Sequence, residues 1–111
     1  MAAILFVRVK SRLEVEEFDR RLLERKSRFR EVPGLVQKVY GRDGATGDVC
    51  GIYFFESQEA LTAFRETELA RTIPDAYDAV DVRREVYDVL YPLWPERGPC
   101  PALDRAAEAS A

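Results

Sequence analysis

Apolar residues fall in two rhythms along this chain, short runs that suit strands and longer ones with helical spacing. Residues 3–10, Ala-Ile-Leu-Phe-Val-Arg-Val-Lys, are apolar and β-rich and predict a first strand. Ser11-Arg12-Leu13-Glu14 has the spacing of a capping box, with Ser11 capping a backbone N–H and Glu14 reaching back. A helix should run from there to about Val32, because Val15, Phe18, Leu22, Phe29 and Val32 share one face. Its other face alternates charge, with Glu16–Arg20, Glu17–Arg21 and Glu24–Arg28 in the favourable i,i+4 order. Pro33-Gly34 ends it.

Residues 35–42 and 49–56 read as two further strands, joined by the Gly-rich turn 43–48 into a hairpin. Ser57 caps a second helix with Glu59 in its first turn and Ala60, Leu61 and Phe64 along its stripe. That helix should end between Thr67 and Thr72, before Ile73-Pro74-Asp75. Residues 82–90 predict a fourth strand. Pro92, Pro95, Pro99 and Pro101 then mark an extended arm, with fraying expected beyond about Ala102. The division is a domain over residues 1–92 and a Pro-rich arm and tail over 93–111.

The order β-α-β-β-α-β predicts an α+β, ferredoxin-like plait: a four-stranded antiparallel sheet of order 4-1-3-2 with both helices on one side. Both faces of residues 4–9 and 49–55 are oily. A sheet that is apolar on two sides needs a second cover, which so short a chain cannot supply. A homodimer, sheet against sheet, is therefore expected.

Composition narrows the chemistry. The 111 residues carry a net charge of −3, against the basic excess usual in nucleic-acid binders. There is no histidine, so the commonest neutral-pH acid–base and the commonest metal ligand are missing. Cys50 and Cys100 form no zinc spacing, and a reduced, cytoplasmic protein is the simpler reading. No basic segment precedes the short apolar run at the N-terminus, so no signal peptide is expected. No stretch approaches the ~18 apolar residues of a membrane span.

Pro33-Gly34-Leu35, the hairpin, Gly51-Ile52-Tyr53-Phe54-Phe55-Glu56-Ser57, Glu59-Ala60 and Phe64 together resemble the dimeric α+β barrel proteins. Within these the chain is similar to the antibiotic-biosynthesis monooxygenase superfamily, and most to its YdhR-type putative monooxygenases. Cys50 stands where that pattern has its first glycine. The resemblance covers about residues 3–92. It implies a pocket between sheet and helices with Phe55 at the aromatic position ending the third strand. Haem-degrading relatives place a ligating histidine at the position of Phe64, so the missing histidine excludes that mode here. What the resemblance leaves is the cofactor-free type, in which an electron-rich aromatic substrate reduces oxygen itself.

Strand alternation puts Gly51, Tyr53 and Phe55 on one face, and the bare Gly51 opens space beside two rings. Tyr53 and Gln37 are the candidate catalytic polar groups, Gln37 being assigned to the face of Leu35 and Val39. Phe55, Phe64, Arg25 and Trp94 complete the expected substrate pocket, with Arg25 inside the arc of the first helix's apolar stripe and Trp94 either docked on the partner or acting as a lid. Asp88 is a candidate base if buried. No Gly-rich phosphate loop is present, and no cofactor and no metal are expected. The leading expectation is a cofactor-independent monooxygenase for an aromatic or polyketide-like molecule. The alternatives are a cyclase or isomerase of the same fold, a non-catalytic binding dimer, and an assembly protein.

Overall fold

The computed structural model describes residues 1–97. Strand β1 (Ala3–Ser11) is followed by helix α1 (Val15–Phe29), β2 (Leu35–Arg42), β3 (Val49–Phe55), and helix α2 (Gln58–Arg65). Two single-turn helices, α3 (Glu68–Arg71) and α4 (Ile73–Ala76), lead into β4 (Ala79–Asp88). The sheet is antiparallel throughout, in the order β2-β3-β1-β4, which is the expected 4-1-3-2 plait. No described helix is long and apolar enough to cross a membrane.

The helices cover the face of β1 that carries Leu5, Val7 and Val9, all buried, and the face of β3 that carries Val49, Tyr53 and Phe55. Phe18 and Phe29 enter this core from α1, and Leu61 and Phe64 from α2. Tyr77, just after α4, stacks on Phe18 with ring centroids 4.9 Å apart and so ties the segment before β4 to α1. The opposite sheet face shows Ile4, Phe6, Ile52 and Phe54 half-buried, with Val39 and Tyr87 exposed.

Local chemistry corrects several expectations. The N-cap of α1 is Glu14, with no side-chain cap bond. Ser11 Oγ instead accepts from Leu13 N at 2.9 Å and donates to the carbonyl of Tyr77, linking the entry of α1 to the start of β4. Helix α1 closes at Phe29 rather than Val32, and Val15 at its start is exposed. Of the three anticipated charge pairs only Glu17–Arg21 forms; Arg20 turns instead to Glu17 and Glu24. All are exposed or nearly so and add little stability. Ser57 does cap α2, accepting from Ala60 N at 3.1 Å. Helix α2 stops at Arg65, where Thr67 caps a new turn through Ala70 N, and Pro74 is tolerated in the first turn of α4.

The Trp94 arm does not lie on its own barrel. Leu90, Tyr91 and Leu93 are each about three-quarters exposed, and Trp94 is half exposed with the Arg97 guanidinium over its ring at 4.3 Å. Cys100 and the tail beyond Ala102 lie outside the described residues.

Gly34 is the residue on which the α1–β2 connection depends. It sits at φ +75°, and a Cβ there would fall 2.5 Å from Cβ of Ala60 on α2. Its carbonyl accepts from Glu56 N at 2.9 Å, which holds the start of β2 against the end of β3. Left-handed strain and overpacking should together make Gly34→Ala cost about 2–4 kcal/mol. Urea denaturation checks this, and a loss under ~0.5 kcal/mol, the range of a neutral surface change, would contradict it.

Candidate functional site

Strand β2 carries one more residue than its partner. Leu35 faces Phe55 and Gln37 faces Phe54, so Val36 is left over as a bulge. The bulge inverts the parity of everything after it. Gln37 and Val39 therefore lie on the open sheet face, opposite to Leu35, which corrects the expected sharing of one face by all three. Lys38 and Tyr40 turn to the helix side, across from Tyr53 and Gly51.

Lys38 is the functional group that the residue pattern did not single out. Its Nζ lies 3.4 Å from the ring centroid of Phe29 and 4.4 Å from those of Tyr40 and Tyr53. It makes no ion pair with a carboxylate among the described residues. Burial, with a smaller contribution from the positive charge of Arg25, pushes its pKa down to about 7. The ring faces pull the other way, since each of the three cation–π contacts favours the ammonium by roughly 0.5–2 kcal/mol. Gly51 makes the arrangement possible: a Cβ there would come within 3.0 Å of Tyr53 Cε1 and 3.1 Å of Lys38 Cε.

Two spaces meet at this lysine. An open groove of about 300 Å³ runs between the C-terminal turn of α1 and β2, bordered by Lys26, Phe29, Arg30, Gln37, Lys38 and Tyr40. Beside it a small recess of about 20 Å³ touches Val9, Leu22, Gly51, Tyr53, Ile73 and Tyr77, and is also bordered by Lys38 and Tyr40. Burial raises the pKa values of Tyr40, Tyr53 and Tyr77, so their hydroxyls keep their protons and act as donors at neutral pH.

The anticipated site residues divide between these places. Tyr53 and Gly51 border the recess, and Gln37 borders the groove. Tyr53, Phe55 and Phe64 do meet, but as a packed cluster with centroids 5.3–6.2 Å apart. Phe55 is fully buried, Tyr53 borders the recess, and Phe64 borders a separate open groove of about 320 Å³ with Leu5, Val7 and Ile73. Arg25 lies across α1, donating from Nη2 to the carbonyl of Leu69 at 3.0 Å, with its guanidinium over the rings of Tyr77 and Phe29. Its Nε and the Tyr77 hydroxyl are buried without a hydrogen-bond partner. Trp94 lines none of these spaces. Asp88 is exposed and accepts from Gln58 Nε2 at 2.5 Å, so it is not the buried base considered above. Among the described residues no group of three His, Cys, Asp or Glu could hold a metal ion.

A ferredoxin-like α+β domain with a buried, aromatic-lined lysine is thus the class that fold and site define. The family described as "Putative mono-oxygenase ydhR" matches residues 4–94, and the chain belongs to it. No curated protein matches the sequence. Among solved structures the fold is similar to that of SnoaB, a cofactor-independent oxygenase from Streptomyces nogalater, at 13% identity over 83% of this chain and 96% of that one, with a TM-score of 0.69. A "putative antibiotic biosynthesis monooxygenase" from Deinococcus radiodurans is similar at 12% identity, over 85% and 97% of the two chains, with a TM-score of 0.68. A dimeric ferredoxin-like protein of unknown function from Jannaschia sp. CCS1 is similar at 13% identity, over 80% and 100%, with a TM-score of 0.63.

The burial of Lys38 has a thermodynamic consequence. With a native pKa near 7 and an unfolded one near 10.5, the native state holds fewer protons than the unfolded chain between those values, so stability rises with pH across that window. Lys38→Met removes the burden of a buried charge. It should be more stable than wild type at pH 6, by an amount on the order of a few kcal/mol, and the gap should close toward pH 10.5. Denaturant midpoints of the two proteins across that range check this, and a gap independent of pH would contradict it.

Proposed function

We propose that the protein is a cofactor-independent monooxygenase for a planar phenolic or polyketide-like aromatic molecule, working as a homodimer. The observation that carries the reading is Lys38 on the groove wall, its amine in contact with Phe29 and Tyr40 and with no carboxylate partner among the described residues. A planar ligand in the groove stacks against these rings and places its hydroxyl on Nζ, with the Gln37 amide at the rim to orient it. The neutral amine takes the phenolic proton. The resulting ammonium stays beside the phenolate it has made and stabilises it.

The electron-rich anion then reduces dioxygen. In an anthrone the ring CH₂ becomes a carbonyl, one oxygen atom enters it, the other leaves as water, and the substrate supplies all four electrons. Tyr53 holds its proton beside Lys38 and serves as a donor across the recess. Family membership and the oxygenase fold of SnoaB support this reading, and a cytoplasmic location goes with Cys50, which forms no disulfide among the described residues. The test uses 1,8-dihydroxyanthrone and an oxygen electrode. Wild type should form the anthraquinone faster than buffer does, with a rate that rises through pH 7, and Lys38→Met should lose on the order of a hundredfold. Uptake no faster than buffer would leave a non-catalytic binding dimer; uptake unchanged in Lys38→Met would remove the base.

The half-buried Ile4, Phe6, Ile52 and Phe54 support the dimer, since at about 25 cal/mol per Å² a wet apolar sheet face is costly. Wild type should sediment as a dimer at micromolar concentration and Phe6→Glu as a folded monomer. Monomeric wild type would overturn the assembly.

A further inference from the structure

A buried amine with no acidic partner among the described residues, on the wall of an aromatic-lined groove, suits a second kind of ligand besides a phenol. We propose that Lys38 is a covalent capture site for aryl aldehydes and aryl ketones, which it binds as a Schiff base. Three features of the site support this. Nζ lies against the ring faces of Phe29, Tyr40 and Tyr53, and no carboxylate among the described residues pairs with it. Lys38 borders the groove of about 300 Å³, so a carbonyl reaches the nitrogen from solvent while its ring lies against Phe29. Tyr40 borders the groove beside it with its proton retained, and so can donate to a carbonyl oxygen.

The chemistry balances without an oxidant. The nitrogen lone pair attacks the carbonyl carbon, a carbinolamine forms, and the oxygen leaves as water with two protons, leaving C=N. Desolvation leaves a substantial fraction of the amine unprotonated and nucleophilic at neutral pH, as in other lysines held in apolar pockets. The charged and titratable groups around Nζ are Arg25 from α1, Tyr40 from β2, Tyr53 from β3 and Tyr77 after α4, with Lys26 and Arg30 at the groove rim. None is an acid that would restore the ammonium.

The chain makes the test clean, because its lysines are only Lys10, Lys26 and Lys38, and the first two are exposed. The full-length protein is incubated at pH 7 without oxygen with 2-hydroxy-1-naphthaldehyde, reduced with cyanoborohydride, and mapped by peptide mass spectrometry. The expected result is one dominant adduct on Lys38, at least tenfold above Lys10, Lys26 or the N-terminal amine. Lys38→Arg, folded by circular dichroism, should lose that adduct and keep the minor ones. Adducts on Lys10, Lys26 and the N-terminus with Lys38 spared would overturn the proposal. Trapping needs no oxygen chemistry, so an adduct without catalysed oxygen uptake refutes the oxygenase reading alone, and uptake without an adduct refutes this one alone.

Discussion

Val36 has no partner in the β2–β3 ladder, and the interior of this protein follows from that extra residue. Without the bulge, Gln37 and Val39 would face the helices and Lys38 and Tyr40 would face away. With it, a cationic side chain enters the space between sheet and helices, where aromatic rings meet it instead of acids. Gly51 on the facing strand leaves the room that its stem occupies. Phe29, at the last turn of α1, supplies the ring on which the amine rests. Groove, recess and depressed basicity all follow from the inversion of parity at a single bulge.

The same geometry explains how a chain without histidine can hold a group poised near neutrality. Histidine reaches that range unaided, whereas lysine reaches it only when burial penalises its charge and no nearby carboxylate compensates. Burial acts at Lys38 and no carboxylate among the described residues offsets it, although three ring faces favour the ammonium. The positive charge of Arg25, itself held to the carbonyl of Leu69, adds to the penalty. The surrounding tyrosines cannot take over as bases, because the burial that lowers the lysine raises them.

Much of the architecture was readable from residue pattern. The Gly-rich hairpin, the Ser57 cap and the inward face of β3 all depend on neighbouring residues, and local chemistry decides them. The site was less readable. Both faces of residues 35–42 carry apolar residues, so alternation alone could not say whether Gln37 or Lys38 pointed inward, and a bulge at a valine leaves no Gly signature. The cue that was available is the scarcity of lysine, three against fourteen arginines, with one of the three set between aromatic-rich strands. The capping box at Ser11 was misread because the N-cap of the helix falls three residues later, at Glu14, while Ser11 Oγ accepts from Leu13 N and donates to the distant carbonyl of Tyr77. Tyr53, Phe55 and Phe64 were rightly placed together, but sequence does not reveal whether rings that meet line a space or fill it.

Lys38 is set apart from the other two lysines by a pKa lowered to about 7 inside the folded protein. With three lysines in the chain, selective ¹³Cε labelling gives three resolved side-chain signals in a heteronuclear NMR titration. The account predicts that one of them titrates near pH 7, keeps the shift of a neutral amine at pH 9, and vanishes in Lys38→Arg while the other two titrate with the range usual for lysine. Three signals that all titrate near pH 10.4 would contradict it.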